Sequence, residues 1–119
     1  MRVNLVIAAA AIAAVTGALA QPQWKHVGTL GQRHMMVVEP SAVSNAQVLK
    51  QAAATACVPA KPCVVAFWSD AADVPTTMPM TTAQQQAMVA QYVRNPGSGK
   101  EELMLKCTSA DPAGTKCLR

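Results

Sequence analysis

The chain has 119 residues, a formal net charge of +4, and only two Trp, one Tyr and one Phe. A chain of this length is expected to form one domain with a modest core. Its Lys and Arg residues are scattered singly, and they are not interleaved with aromatic residues as a stacking surface for nucleic acid would require. The composition therefore argues against a nucleic-acid-binding protein.

Residues 1–20 have the pattern of a secretory signal peptide. Arg2 precedes an apolar run, and the segment ends in an A-x-A cleavage site at Ala20. The apolar stretch 5–15 is too short to cross the roughly 30 Å hydrocarbon core of a membrane as a helix. We therefore predict that the signal is removed and leaves no membrane anchor. Residues 21–119 would then form one exported domain, in the bacterial periplasm or outside the cell.

A β-hairpin is predicted at the start of the mature chain. The segments Trp24–Leu30 and Arg33–Val38 flank Gly31-Gln32, which suits a two-residue type II′ turn. In a regular ladder closed by this turn, His26 and His34 lie on opposite faces of the hairpin. The pattern therefore argues against a metal site made of these two histidines.

A helix and a buried strand are predicted next. The pattern Ser44-x-x-Gln47 is typical of a capping box, and apolar residues then repeat at helical spacing up to Ala56. The segment Cys63–Trp68 is a continuous apolar run without polar alternation. Such a run indicates a strand that is covered on both faces, at the centre of a sheet.

A second capping-box pattern, Thr81-x-x-Gln84, predicts another helix. Asn95-Pro96-Gly97 is expected to end it, because the residue before a proline resists the α conformation. A last short strand is predicted over Glu101–Cys107. The apolar side of the second helix is expected to carry Met88, Val89, Tyr92 and Val93.

The resulting order, β-β-α-β-α-β, indicates an α/β or α+β domain with a small mixed sheet and two helices. The last two strands, joined through a helix, are expected to form a right-handed parallel crossover. Cys63 then begins one strand and Cys107 ends the other. This offset places the two residues too far apart for a disulfide between them.

Four cysteines in an exported chain predict a disulfide framework. The spacings Cys57-x5-Cys63 and Cys107-x9-Cys117 differ from the C-x-x-C of zinc ribbons and redox sites. The preferred pairs are therefore the local ones, Cys57 with Cys63 and Cys107 with Cys117. Pairing Cys57 with Cys107 and Cys63 with Cys117 stays open.

The best candidate ligand-binding loop follows the buried strand. Ligands of open α/β sheets bind beyond the carboxyl ends of the strands, which places Ser69, Asp70 and Asp73 at such a position. The two carboxylates are explained more simply by Asx turns and by attraction to the N-terminus of the following helix. Neither a histidine base nor a Gly-rich phosphate loop accompanies them.

Two Met-containing segments offer an alternative chemistry. His34-Met35-Met36 and Met78-Pro79-Met80 supply the soft thioether sulfur that Cu(I) accepts. Met is also a flexible core residue, and Met35 and Met36 point to opposite faces of a strand. We therefore expect at least one of them in the core and no metal or other cofactor, with copper as the alternative.

The sequence favours an exported, disulfide-stabilised domain without catalytic activity that binds an unidentified protein or small molecule. The alternative is a periplasmic copper-binding protein. A small hydrolase built on Asp70 and Asp73 ranks last, because the chain has no nucleophile motif and only two histidines. The ligands in the copper alternative would be His34, Met35, Met36, Met78 and Met80.

Overall fold

A computed structural model describes residues 23–119, so the predicted signal peptide lies outside the described residues. No helix in residues 23–119 is long and apolar enough to cross a membrane. Short 3-10 turns follow the second and third strands, at Pro40–Ala42 and Ala71–Asp73. The regular elements are β1 (Trp24–Leu30), β2 (Arg33–Val38), α1 (Ala46–Ala56), β3 (Cys63–Trp68), α2 (Thr82–Ala87), β4 (Ala90–Asn95) and β5 (Lys100–Leu105).

The five strands form one mixed sheet in the order β1-β2-β3-β4-β5. β2 and β3 pair in parallel, whereas β1 with β2, β3 with β4 and β4 with β5 pair antiparallel. α1 connects the parallel pair, as a crossover between parallel strands requires. The protein therefore has a small α+β fold with a mixed sheet, two helices and two disulfides.

The second half of the predicted second helix is a strand. α2 ends at Ala87, and β4 follows it, so the element order is β-β-α-β-α-β-β. The assignment of Tyr92 and Val93 to a helix was wrong, because aromatic and β-branched residues fit the pleated surface of a sheet. β4 gives the central strand β3 a second hydrogen-bonded neighbour, with Val65 opposite Tyr92.

Two further expectations change with this element. Asn95-Pro96-Gly97 lies in the connection between β4 and β5 and ends no helix; the Asn95 side chain accepts a hydrogen bond from the Gly97 N–H at 3.1 Å. β5 pairs with β4, so the predicted parallel crossover between β3 and β5 is also wrong. The parallel crossover in this fold joins β2 to β3.

Side-chain caps fix the starts of both helices. Asn45, and not Ser44, caps α1, since its side chain accepts a hydrogen bond from the Val48 N–H at 3.2 Å. At α2 the predicted capping box is present. The Thr81 hydroxyl accepts from the Gln84 N–H at 3.1 Å, and the Gln84 side chain accepts from the Thr81 N–H at 2.9 Å.

The sheet packs on both faces, as predicted for its central strand. Val65 and Phe67 of β3 pack with Met36 of β2 and Leu49 of α1 in an apolar cluster that we call the cluster under α1. Trp68 lies on the other face and is fully buried, and its Nε1–H donates to the Gln84 carbonyl of α2 at 2.9 Å. The second apolar cluster consists of Met35, Ala66, Trp68 and Met88, with Leu30, Val74, Met80, Ala87 and Leu118 at its margin.

Each disulfide closes a loop that lies outside the strands. Cys57 at the end of α1 is bonded to Cys63 at the start of β3, with their Cα atoms 5.6 Å apart. Cys107 is bonded to Cys117, with a Cα separation of 5.1 Å. These are the two pairs preferred from the sequence. The second one holds the C-terminal segment against β5, where Leu118 forms a bridge with Lys106.

Candidate functional site

A β-bulge in β1 creates the most distinctive polar cluster. Near the turn the ladder is regular, with Thr29 opposite His34, but the register shifts between His26 and Gly28, leaving Val27 as the extra residue. A regular ladder would place His26 opposite Val37. Beyond the bulge it lies opposite Met36 instead. An extra residue in one strand moves every side chain beyond it to the other face of the ladder.

The bulge therefore brings His26, Thr29 and His34 to one face of the hairpin, the face that also carries α1. The Nδ1 atom of His34 is 3.3 Å from Nε2 of His26. The Thr29 hydroxyl oxygen is 3.3 Å from His34 Nδ1 and 3.4 Å from His26 Nε2. The three polar atoms thus form a nearly equilateral triangle. We call these residues the histidine cluster.

This arrangement corrects the expectation that the two imidazoles point to opposite faces. The sequence signal for it is Gly28, because a glycine inside a strand often marks a bulge or a close backbone approach. A Cβ atom at Gly28 would lie 3.4 Å from the Met35 side chain. This is close to an ordinary van der Waals distance to the end of a flexible side chain, and Gly28 does not have a positive φ, so Gly28 marks the bulge without being required by it.

The surroundings of His34 favour its neutral form. His34 is half-buried, whereas His26 and Thr29 are exposed. Burial lowers the pKa of His34 below 6.5, and the neighbouring His26 lowers it further. A neutral imidazole keeps a lone pair available on one of its ring nitrogens, so the cluster can act as an acceptor of hydrogen bonds or as a metal ligand.

The structure separates the Met residues of the copper alternative. Met36 is fully buried in the cluster under α1, whereas Met35 packs on the opposite face. Met80 lies at the margin of the second apolar cluster, and Met78 is exposed. Of this set, His34 and Met36 share a face of β2, but the five side chains do not converge on one point.

The loop after β3 holds the Asp70 carboxylate in a local contact, and Asp73 is the last residue of the adjoining 3-10 turn. Asp70 caps the 3-10 turn Ala71–Asp73, and its side chain accepts a hydrogen bond from the Ala72 N–H at 2.9 Å. Ser69 lines a different region, a cavity of about 360 Å³ beside Trp24 and Glu39. The structure thus gives Asp70 a structural role and places Ser69 in a separate cavity.

A third polar group lies at the other end of the sheet face that carries α1. The Tyr92 hydroxyl donates to the Glu101 carboxylate at 2.5 Å. Arg94, on β4 and opposite Glu101 on β5, donates to the Val58 carbonyl at 3.2 Å. Burial and Glu101 raise the pKa of Tyr92 above 10.0. These contacts tie the loop closed by the first disulfide to the β4–β5 hairpin.

Cys107, Asp111 and Cys117 also lie close together, with their potential ligand atoms within 4.8 Å of one another. The two sulfur atoms are bonded to each other, so they are not thiolate ligands while the disulfide is intact. The Asp111 carboxylate accepts a hydrogen bond from the Thr108 N–H at 2.7 Å. This group therefore holds the C-terminal segment in place.

Comparisons with protein-family models, with curated proteins and with solved structures find no match to this chain. The function therefore has to be argued from the groups described above. Of these, the histidine cluster combines solvent access with converging polar atoms. Asp70, the Tyr92 group and Asp111 are engaged in hydrogen bonds that hold the fold together.

Proposed function

We propose that residues 21–119 form an exported, disulfide-stabilised domain that acts by binding a ligand and catalyses no reaction. The observation that carries the proposal is the state of the cysteines: all four are paired, and each pair holds a segment outside the sheet. Disulfides form and persist in oxidising compartments and are rare in the cytosol. The signal-like pattern of residues 1–20 supports the same compartment.

Cell fractionation tests the export step. The full chain is expressed in a bacterial host with the natural residues 1–20, and the periplasmic, cytoplasmic and culture fractions are compared. We expect a shortened chain, beginning at Gln21, in the periplasm or the medium. Changing Ala18 and Ala20 to Glu should block cleavage and leave the longer form. A chain of full length in the cytoplasm of the unaltered strain would contradict the proposal.

The absence of catalysis is proposed because, among the described residues, neither histidine forms a hydrogen bond with a carboxylate. Asp70 caps a turn, and the histidine cluster has no carboxylate among its three members. Ester, peptide and phosphate substrates should therefore show no turnover above background. Turnover that disappears in an Asp70→Asn, Asp73→Asn variant would instead establish the hydrolase alternative.

A Met-based copper site receives less support than the histidine cluster. Cu(I) needs several soft ligands around one point, and Met35 and Met36 are buried on opposite faces of β2. Substituting Leu for Met78 and Met80 should leave copper binding unchanged. Loss of Cu(I) binding in that variant would restore the copper-protein alternative.

A further inference from the structure

The geometry points to a binding site for one divalent transition-metal ion of the Zn²⁺ or Cu²⁺ type at His26, Thr29 and His34. Nε2 of His26 and Nδ1 of His34 would be the ligands, and the Thr29 hydroxyl would be a third ligand or would bind a metal-bound water. The inference rests on the proposal that the domain acts by binding, and it names the ligand class.

The dimensions of the triangle carry the inference. When ligands surround Zn²⁺ tetrahedrally at about 2.0 to 2.1 Å, neighbouring ligand atoms lie about 3.3 to 3.4 Å apart. The three atom pairs of the histidine cluster are separated by 3.3, 3.3 and 3.4 Å. A hydrogen bond with an N–H donor is usually about 2.9 to 3.0 Å long. The triangle is therefore the size of one face of a metal coordination tetrahedron.

The chemistry of the three atoms selects the class of ion. Imidazole nitrogen suits Zn²⁺, Cu²⁺ and Ni²⁺, whereas Mg²⁺ and Ca²⁺ require mainly carboxylate and carbonyl oxygen. Two facing ring nitrogens at 3.3 Å also repel each other through their lone pairs unless a proton or a cation lies between them. A divalent ion removes this repulsion for both rings at once.

The fold holds the ligands in this arrangement before any ion binds. Thr29 and His34 are directly opposite each other in the hydrogen-bonded hairpin, and the bulge at Val27 fixes His26 beside them. β2 is an interior strand, so His34 is supported on its other side by β3. The exposed side chains of His26 and Thr29 leave the fourth coordination position open to water. Two imidazole ligands and one hydroxyl or water oxygen would thus leave a coordination position open to solvent, as metal sites that keep a water do.

Isothermal titration calorimetry with Zn²⁺ alone tests the inference. The protein is the mature chain without a histidine tag, purified with both disulfides formed. We expect saturable binding of one Zn²⁺ per chain. His26 and His34 are the only histidines in the sequence. His26→Ala and His34→Ala should each weaken Zn²⁺ binding by about tenfold to a hundredfold. Thr29→Val should weaken it about tenfold.

Lys25→Ala is the matched control, since Lys25 is adjacent to His26 but pairs with Val37 and lies on the other face of β1. This variant should bind Zn²⁺ as the unaltered protein does. A second readout follows the two imidazoles directly by NMR, where both sets of ring signals should shift together and stop changing at one equivalent of Zn²⁺. Cu²⁺ should displace Zn²⁺, as expected from the general order of affinities.

Two results would overturn the inference. One is an exported, thiol-free protein that binds no Zn²⁺; this result leaves the proposed function standing and removes only the metal site. The other is Zn²⁺ binding that persists unchanged in the His26→Ala, His34→Ala variant, which would place the ion elsewhere. Failure of the proposed function would instead be seen as free thiols and a cytoplasmic chain.

Discussion

Tyr92 shows how a single side chain links strand pairing to charge. The residue is only 3% exposed and belongs to the cluster under α1, and its hydroxyl donates to the Glu101 carboxylate. Ionising this hydroxyl would place a negative charge in a desolvated position next to a second negative charge. Burial is the largest single cause that raises the pKa of Tyr92; the hydrogen bond and the charge of Glu101 raise it as well, and Arg94 lowers it.

The chain contains one tyrosine, so an absorbance titration of tyrosinate reports on Tyr92 alone. We predict a midpoint above pH 10, and a lower midpoint in Glu101→Gln because the hydrogen bond and the charge of Glu101 are removed. The folded pKa is raised above the unfolded value, so the stabilisation is complete below pH 10 and is lost as the pH rises through the folded pKa. A midpoint at 10 that Glu101→Gln does not change would contradict this description.

The histidine cluster shows where prediction at the level of residues fails. The turn at Gly31-Gln32 was predicted, and it sets the pairing of Thr29 with His34. A single extra residue, Val27, two positions before Thr29, reverses the face on which His26 lies. Alternation along a strand is reliable only up to the first irregularity. Gly28 was the available signal, but a glycine in a strand does not by itself show that the register shifts beside it.

The helix α1 has two neighbouring candidates for its N-cap, Ser44 and Asn45. We predict that Asn45→Ala lowers the free energy of unfolding by about 1 kcal/mol, because its side chain accepts the hydrogen bond from the Val48 N–H. Ser44→Ala, the matched control, should change it by less than about 0.5 kcal/mol. Urea unfolding followed by circular dichroism measures both. A larger loss in the Ser44 variant would place the cap one residue earlier.

A hydrogen bond between elements gives another prediction. Trp68 is buried on β3, and its Nε1–H donates to the Gln84 carbonyl in the first turn of α2. Trp68→Phe removes this donor and part of the ring volume, so we expect a loss of about 2 to 4 kcal/mol in the free energy of unfolding. Val64→Ala, at a half-buried position of the same strand, should cost less. Equal losses would show that this contact adds nothing.

The comparison of α2 with β4 explains which elements can be predicted. The capping box at Thr81 is a local signal, and the helix begins where it predicts. The end of that helix depends on a non-local requirement, because β3 needs a hydrogen-bonded strand on each side. Met88, Val89, Tyr92 and Val93 fit one side of a helix on paper. In the fold, β4 pairs with β3 from Ala90 onward.

For the whole molecule, the two disulfides stabilise different parts. Cys57 and Cys63 are 8% and 3% exposed and belong to the cluster under α1. Cys107 and Cys117 are half-buried and fasten the C-terminal segment. The loops they close differ little in length, so each contributes about 2 to 3 kcal/mol through the entropy of the unfolded chain. The first pair adds core packing to this contribution.

We therefore predict that Cys57→Ala, Cys63→Ala lowers the free energy of unfolding more than Cys107→Ala, Cys117→Ala does. Urea unfolding of the two variants beside the unaltered protein measures the difference. The second variant should keep the cooperative transition of the sheet, because its disulfide lies outside the five strands. A larger loss from removing the Cys107–Cys117 pair would show that the C-terminal segment is an integral part of the core.

The proposed exported, disulfide-stabilised domain requires that the chain is exported and that its four cysteines are oxidised. The most direct measurement is the intact mass of the protein recovered from the periplasm or medium, unfolded and alkylated without reduction. We predict a chain that begins at Gln21 and carries no alkyl group. A chain that still begins at Met1 would contradict export with cleavage of the signal, and alkylated cysteines would contradict the two disulfides.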